Sequence, residues 1–482
     1  MSTSLVLIVI LGFFSALFLI SWFSSRDANT ETFFTGNRKS PWYLVAFGMI
    51  GATISGVTFI SVPGEVGNSA WSYFQFILGN FVGYWVIALV LLPLYYKRNL
   101  VSIYTYLDQR FGLSSYKTGS FFFLLSQTIG ASFRLYLVAG VLQISFFDAI
   151  GVPFWITVFA TITLIWLYTF KAGIKTVVWT DTLQTFFILL SVVVTVAVIL
   201  QQLDMGVGEM IQTIRQHPQS QIFDWNWRSG TNFFKQFIAG IGITIVMTGL
   251  DQNMMQKNLT CKNQHEAQKN LFWFSLAFVL TNLLFLGLGV MLYHYAAEMG
   301  IQIPERTDDV FPLLAIKHFG TVVGVFFLLG ITAAAYSSAD SALTALTTAF
   351  CIDFLKVDPK AKSTTPTRIK VHLTFSFIMF LVIVLFRIIN DESVVNSVFT
   401  AAGYTYGPLL GLFAFGILTR RGTRDRMVPY ISVLSPILCY IIDVNSERWL
   451  GGYQFGFEML LLNGFLVFLG LFIFSNKPSS QS

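Results

Sequence analysis

Apolar runs of about 20 residues recur from one end of the chain to the other, separated by short polar segments. A helix of that length crosses a hydrocarbon core of roughly 30 Å, because each residue adds about 1.5 Å. Thirteen runs can be counted, at residues 4–24, 42–67, 72–96, 118–147, 153–170, 178–203, 232–255, 270–297, 319–350, 369–389, 395–419, 427–446 and 453–475. The pattern predicts an all-α integral membrane protein with about 13 transmembrane helices, in one domain over residues 1–482.

Two of these runs are interrupted by glycine. The second has three glycines between Gly48 and Gly56 and then meets Pro63, and the seventh has glycines at 240, 242 and 249. Gly and Pro weaken the backbone ladder, so we expect both helices to be broken, with carbonyl groups bonded to hydroxyls or facing a cavity. Broken helices at matching places in two halves indicate an inverted-repeat transporter with its site at the midplane. The alternative is that Gly is simply frequent in membrane helices.

The ninth run carries a polar face inside an apolar helix. Ser337, Asp340, Ser341 and Thr344 are spaced i, i+3, i+4 and i+7, which places them on one side of a helix. Polar groups without partners are costly in a membrane, and oxygen ligands without His or Cys suit a hard cation such as Na⁺. The sequence therefore favours an ion site here over a helix contact made of small residues.

Composition supports the membrane prediction, and charge adds an orientation. The chain is 55% hydrophobic and 11% charged, with a mean hydropathy of +0.67. With thirteen spans and the N-terminus outside, 22 of the 30 Lys and Arg residues fall in cytoplasmic loops or in the tail from Lys477. The positive-inside rule then places the C-terminus in the cytoplasm. We expect a monomeric, multi-pass protein of the bacterial inner membrane that contacts lipid, and its net charge of +6 does not indicate nucleic-acid binding.

Enzymatic chemistry is not indicated. The three cysteines are isolated and the five histidines scattered, so neither a disulfide, nor a metal site, nor a general base follows from them. An intramembrane enzyme would need a nucleophile with a base or metal, and a membrane sensor would normally carry a soluble output domain. We expect neither, and we expect the first run to be a retained helix and not a signal peptide.

Three stretches resemble the sodium/solute symporter family, which includes sodium–glucose, sodium–proline and bacterial sialic acid transporters. They are Tyr168-Thr169 through Trp179-Thr180-Asp181 to Gln184, then Gly249-Leu250-Asp251-Gln252 with Gln256-Lys257, and the helix from Tyr336 to Leu343. One departure is Ala172, where the family often has Gly. The resemblance implies a LeuT-type fold of five plus five inverted helices with extra peripheral helices. It implies a first repeat at 42–203, a second at 232–419, additional helices at 420–475, and alternating access coupled to Na⁺.

The resemblance also implies sodium ligands. The common site would use the carbonyl groups of Gly51, Ile54 and Ala334 and the hydroxyls of Ser337 and Ser338. A possible second sodium site would use Asp181, Ser337, Asp340 and Ser341, although Asp340 stands where the sialic acid transporters carry Ser. Two carboxylates facing one small site repel unless a cation or a proton is present, so a second Na⁺ or a proton-sensitive step follows. Alternatively, Asp181 pairs with Lys175 or caps the sixth span.

Arg134, in the middle of the fourth run, is the main indication of the solute. An arginine at this depth needs a wet or acidic environment, and its guanidinium favours carboxylates. Sialic acid transporters use an Arg that aligns with Gly130, one helical turn away. A structural pairing of Arg134 with Glu65 is the alternative. The further residues expected to bind the solute are Thr53, Ser55, Thr58, Gln75, Asn80, Gln127, Thr244 and Thr248. We expect a sodium-coupled symporter for a small polar solute, in the first place a carboxylate-bearing sugar acid such as sialic acid, and otherwise a neutral sugar or an amino acid.

Overall fold

The computed structural model describes residues 3–26, 30–143, 147–170, 173–358, 364–389 and 394–476. Ala172 and the tail from Lys477 lie outside the described residues. Helices α1 to α7 span Thr3–Ser24, Thr30–Thr35, Trp42–Thr53, Gly56–Ser69, Tyr73–Val86, Leu92–Lys97 and Thr105–Arg110. Helices α8 to α14 span Leu113–Leu142, Phe154–Thr169, Ile174–Gln202, Val207–Gln216, Phe233–Thr244, Gln252–Asn258 and Gln264–Glu298. Helices α15 to α21 span Val310–Lys317, Gly320–Ala349, Thr365–Ile389, Val394–Leu418, Val428–Val444, Ser446–Trp449 and Met459–Ile473. Two short strands, β1 (Gly422–Thr423) and β2 (Ser475–Asn476), pair antiparallel near the end of the chain.

Every predicted apolar run has a helix at its place, which confirms a membrane protein built of helices. Among the described residues, eight helices are long and apolar enough to span a membrane, or ten if each of two bent pairs counts as one span. Three more apolar helices are shorter, at Ile8–Ser24, Phe154–Thr169 and Met459–Ile473. The total of 13 spans and the boundaries of the two repeats stay predictions.

Helix α16 lies at the centre of the bundle. Of the apolar window in Gly320–Phe354, 78% is buried, against 22% in Asp425–Val444, which includes α19. Helices α3, α8 and α10 all pack against α16. The polar face predicted on the ninth run is therefore inside the protein and does not face lipid.

Glycine permits two of the closest helix contacts. A Cβ atom at Gly51 on α3 would lie 2.2 Å from Thr185 Oγ1 on α10, and one at Gly240 on α12 would lie 2.2 Å from the Phe76 carbonyl oxygen on α5. Both distances are far below van der Waals contact, so a larger residue at either position would force the helices apart. The glycines that mark the two broken spans thus also set how closely those spans approach their neighbours.

The two predicted interruptions are present. Helices α3 and α4 form a span bent by 52°, and α12 is followed through a π-helical turn, Ile245–Gly249, by α13 at 69°. The first break lies at Ile54 and Ser55, where the backbone of Ser55 is extended. Pro63 lies inside α4, so the proline does not cause the break.

Candidate functional site

The break between α3 and α4 leaves backbone oxygen atoms without donors. The Ser55 N–H donates to the carbonyl of Thr53 at 2.9 Å, instead of to the carbonyl of Gly51 four residues earlier. From the described part of the chain, no hydrogen bond reaches the carbonyl oxygen of Gly51 or of Ile54. Since buried carbonyl groups normally have partners, these two are available to a cation.

A chain of hydrogen bonds joins this break to α16. The Gly51 N–H donates to Thr185 Oγ1 at 3.0 Å, and that hydroxyl donates to the carbonyl of Asp181 at 2.7 Å. Ser337 Oγ, on α16, donates to the Asp181 carboxylate at 2.5 Å. Gly51 and Ser337 are therefore both held by one turn of α10, from Asp181 to Thr185.

Two buried hydroxyls in this region lack protein partners. Ser338 Oγ on α16 and Thr53 Oγ1 on α3 have no hydrogen bond within the described residues. Ala334, Ser337 and Ser338 share one face of α16 and are all nearly inaccessible. Carbonyl and hydroxyl oxygens are uncharged ligands of the kind that suits a monovalent hard cation that has to be released again.

The predicted second-site residues also come together, around a lysine. Lys257 Nζ lies 2.6 Å from Asp181 Oδ2, and both side chains are 1% exposed. Asp340 accepts hydrogen bonds from Tyr168 (2.8 Å), Thr180 (3.4 Å) and its neighbour Ser341 (3.2 Å). The cluster thus contains two buried carboxylates and one buried ammonium group.

Two expectations about these charges were wrong. Asp181 pairs with Lys257, not with Lys175, because the Asp181 side chain points into the bundle towards α13. Lys257 was also counted among the cytoplasmic loop cations, whereas α13 carries it into the interior. Removing one partner of such a buried pair typically costs about 3–5 kcal/mol, so Lys257 matters for stability as well as charge.

At the second break the backbone groups are satisfied by side chains. Tyr95 and Tyr104 donate to the carbonyl groups of Gly249 and Leu250 at 2.8 and 2.9 Å. Asp251 caps α13 by accepting from the N–H groups of Asn253 and Met254, and its other oxygen accepts from Tyr406 Oη. This break is closed by protein groups, whereas the first has open carbonyl oxygens.

A cavity lies between the two breaks. Its volume is about 110 Å³. Its walls include eight of the nine residues predicted to bind the solute, namely Thr53, Ser55, Thr58, Asn80, Gln127, Arg134, Thr244 and Thr248. The predicted polar positions therefore converge on one site.

Gln75 is the exception, because its side chain does not line this cavity. The amide nitrogen donates to the carbonyl groups of Ser72 and Thr231, and the amide oxygen accepts from the N–H of Asp224. Gln75 lies on the face of α5 that meets the segment leading into α12, so it anchors that segment.

Arg134 reaches the cavity, and its neighbours differ from those of the alternative in which it pairs with Glu65. The charged and polar groups that act on its half-buried guanidinium are Tyr406 and Asp251. Glu65 has other neighbours, Asn68, Thr307 and Asp308. The expected pair between Arg134 and Glu65 is not found.

Sequence reasoning missed several groups of the site. Asp251 and Lys257 were quoted only as part of a motif, although an Asp after a glycine-broken helix is a natural cap. Tyr406 was missed because it comes from the distant helix α18. An aromatic group at one end of the cavity was missed too, with Phe76 and Phe399 rings 5.3 Å apart. Phenylalanine is so common in this chain that no local pattern sets these two apart.

Comparison with known sequences agrees with this architecture. A profile described as the Sodium:solute symporter family matches residues 33–426. The sodium/sialic acid symporter NanT of Aliivibrio fischeri is 26% identical, over 95% of this chain and 91% of its own length. The sodium/sialic acid symporter SiaT of Proteus mirabilis is 24% identical, over 93% and 90%. The human sodium/iodide cotransporter is 23% identical, over 81% and 61%.

Solved structures show the fold. The substrate-bound outward-open state of a Na⁺-coupled sialic acid symporter matches with a TM-score of 0.81 at 21% identity, over 97% of both chains. Mhp1, a nucleobase-cation-symport-1 family transporter, matches with a TM-score of 0.56 at 15% identity, over 91% and 92%. The predicted LeuT-type helical fold is confirmed. Because the family profile covers most of the chain, this protein is a sodium-coupled symporter that belongs to the sodium:solute symporter family.

Proposed function

We propose that this symporter imports a carboxylate-bearing sugar acid of the sialic acid class, together with Na⁺, by alternating access. The observation that carries the proposal is the guanidinium of Arg134. It lies in the cavity wall, and within the described residues it makes no hydrogen bond or ion pair with the protein. An arginine in a membrane helix is costly, and a guanidinium binds a carboxylate with two parallel hydrogen bonds.

The position of this guanidinium supports the comparison with sialic acid symporters. A Cβ atom built at Gly130 would lie 3.9 Å from Arg134 Nη2. Side chains on a helix point back towards its N-terminus, so Arg134 reaches the place from which a residue at 130 would extend. The displacement of one turn noted in the sequence is thereby largely compensated by the length of the side chain.

The rest of the cavity wall suits a molecule with several hydroxyl groups. Thr53, Ser55, Thr58 and Thr248 offer hydroxyls, and Gln127 offers an amide. Asn80, in the amide orientation that satisfies its neighbours, donates to Gly240 O and Thr244 Oγ1 at 2.9 Å, so it mainly holds α5 against α12. The proposed solute contacts are therefore Arg134 and these hydroxyl groups, with Asn80 and Thr244 as supports.

The proposed sodium site consists of the carbonyl oxygens of Gly51, Ile54 and Ala334 and the hydroxyls of Ser337 and Ser338. The unpartnered Ser338 hydroxyl and the open carbonyl groups support it. We further propose a monomer in the bacterial inner membrane, with the N-terminus outside and the C-terminus in the cytoplasm, from the distribution of Lys and Arg.

An amino acid is the second candidate, because the Asp251 carboxylate shares the cavity with Arg134. An ammonium group could face Asp251 while a carboxylate faces Arg134. However, both oxygens of Asp251 already accept hydrogen bonds from Tyr406 and from the start of α13. A sugar acid needs only the arginine, so the geometry favours it.

Thermal unfolding of the purified protein in detergent tests the proposal. Melting temperatures are measured with N-acetylneuraminate, neutral sugars or amino acids, each in NaCl and in choline chloride. A ligand that binds only the folded protein raises the melting temperature. We expect N-acetylneuraminate to do so only with Na⁺. Stabilisation by a neutral sugar alone would contradict the proposal.

Arg134→Lys and Arg387→Lys form a matched pair for this assay. Lysine keeps the charge of Arg134 but loses the two-pronged geometry, so the response to N-acetylneuraminate should fall while the response to Na⁺ remains. Arg387 packs over the ring of Phe154, away from the cavity, and its variant should respond like the wild type. Equal responses of the two variants would assign Arg134 a structural role.

A further inference from the structure

Asp181 and Asp340 face a buried ammonium group at the place where a second cation was expected. Lys257 Nζ lies 2.6 Å from Asp181 Oδ2, and Asp340 lies within electrostatic range of both groups. Lys257 is on α13, which begins at the cavity floor with the cap Asp251. The chain itself thus supplies a positive charge beside Asp181, in the cluster that also contains Asp340.

The carboxylate oxygens are already engaged by groups that carry hydrogen. On Asp181, Oδ1 accepts from Ser337 and Oδ2 faces the ammonium of Lys257. On Asp340, Oδ2 accepts from Tyr168 and Thr180, and Oδ1 accepts from Ser341. A carboxylate oxygen that accepts one hydrogen bond keeps a further lone pair, so these hydrogen bonds alone do not exclude a metal ion. The ammonium of Lys257 opposes it, because a sodium ion bound to Asp181 would lie beside a positive charge that is 2.6 Å from the same carboxylate.

We infer that the ammonium group of Lys257 takes the place of a second sodium ion beside Asp181 and Asp340, so that the protein carries one Na⁺ with each solute. Lys257 is a tethered cation, and it stays with the protein during the transport cycle. The ion that moves is the one proposed at Gly51 and Ser338, and the inference rests on that site. One ammonium group compensates two carboxylates in this cluster. Asp340 is stabilised in addition by the hydrogen bonds that it accepts from the hydroxyls of Tyr168, Thr180 and Ser341.

The number of sodium ions is measured in two ways. In proteoliposomes, the reversal potential of uptake gives the ratio of Na⁺ to N-acetylneuraminate, and we expect one to one. Without any solute, a titration with NaCl follows the melting temperature. Stabilisation grows with the logarithm of the Na⁺ concentration, and its slope counts the ions bound, so we expect the slope for one ion. Two sodium ions per solute, or a solute-free slope for two ions, would overturn the inference.

Variants of the lysine sharpen the test. Lys257→Met keeps most of the size and removes the charge, so a sodium ion can enter and the slope of stabilisation against the logarithm of the Na⁺ concentration should rise to that for two ions. Lys257→Arg keeps the charge and should keep the slope for one ion. Lys269→Met is the control, since Lys269 is exposed and lies over the ring of Trp42. A Lys257→Met protein that folds and still binds a single sodium ion would contradict the inference that Lys257 takes the place of a second ion.

Ser341→Ala covers the case in which Lys257→Met does not fold. The inference assigns Ser341 no contact with an ion, so the stabilisation at each Na⁺ concentration should not change. A loss of several-fold in Na⁺ affinity would show that Ser341 binds an ion and would overturn the inference. The solute-free titration separates the two proposals. A complete lack of Na⁺ response would contradict the sodium site itself, whereas a response with two ions contradicts only the role of Lys257.

Discussion

Both broken spans contain backbone carbonyl groups that lack a helical partner, but within the described part of the chain only at the second break do side chains donate hydrogen bonds to them. Both bend sharply, by 52° between α3 and α4 and by 69° before α13. At the first break the carbonyl oxygens of Gly51 and Ile54 receive no hydrogen bond from the described residues. At the second, the hydroxyls of Tyr95 and Tyr104 donate hydrogen bonds to the carbonyl groups of Gly249 and Leu250. A broken helix is thus not in itself an ion site, and the surrounding donors decide what it becomes.

The difference assigns different roles to the two breaks. Carbonyl groups without donors at the first break are available to a cation. At the second break the carbonyl groups are hydrogen-bonded, so this part of the chain forms a fixed wall of the solute cavity. Disturbing the first break should therefore change the response to Na⁺, and disturbing the second should change stability without changing the response to Na⁺. Four substitutions test this contrast.

Gly51→Ala should have the largest effect. Its Cβ would lie 2.2 Å from Thr185 Oγ1 and 3.1 Å from Thr185 Cα, so α3 and α10 have to separate. Overpacking of this kind costs about 1–3 kcal/mol or more, and here it also moves a proposed sodium ligand. We expect a lower melting temperature and loss of stabilisation by Na⁺. Gly12→Ala, where the added atom meets nothing within 4 Å, is the control. A normal Na⁺ response in the Gly51 variant would argue against the first break as the ion site.

Asp251→Ala at the second break comes next. Loss of a helix cap costs about 0.5–2 kcal/mol, and the buried hydroxyl of Tyr406 loses its acceptor at a further cost of about 1–3 kcal/mol. We expect a lower melting temperature in both NaCl and choline chloride, with the additional stabilisation at each Na⁺ concentration unchanged. Asp251→Asn keeps an acceptor oxygen and should recover part of the stability. A shift in Na⁺ affinity at this position would remove the contrast between the two breaks.

The features that the sequence predicted correctly are local ones. Glycine interruptions and the spacing of Ser337, Asp340 and Ser341 depend only on neighbours along one helix, whose period is known. For the same reason eight of nine proposed solute residues reached one cavity.

The features that it missed depend on partners distant in sequence. The closure of the second break depends on hydroxyls from Tyr104, 146 positions away, and Tyr406, 155 positions away. Lys257 follows the seventh apolar run, which ends at residue 255, and was therefore counted among the cytoplasmic loop cations. The turn of α13 into the bundle places it in the interior. Gln75 looked like a cavity residue because depth along a helix does not tell which face it occupies.

Ser338→Ala tests the first break without disturbing packing. The Ser338 hydroxyl has no partner among the described residues, so its removal should leave folding almost unchanged. If it is a sodium ligand, Na⁺ affinity should fall roughly tenfold, equivalent to about 1.4 kcal/mol. Ser126→Ala is the matched control, because Ser126 Oγ already donates to the carbonyl of Phe122. Solute-free NaCl titration of both variants gives the comparison, and equal Na⁺ affinities would exclude Ser338 from the site.

Tyr104→Phe should have the smallest effect and isolates one carbonyl group at the second break. The substitution removes only the hydroxyl that donates to the Leu250 carbonyl oxygen at 2.9 Å, so that this break gains an open carbonyl like those at the first. Losing one buried hydrogen bond costs about 0.5–1.5 kcal/mol, which should appear as a small decrease in melting temperature. Because an ion site needs several converging oxygens, one freed carbonyl should not create one, and Na⁺ stoichiometry should stay as in the wild type. Additional Na⁺ binding in this variant would mean that the tyrosine hydroxyls alone keep the second break from holding an ion.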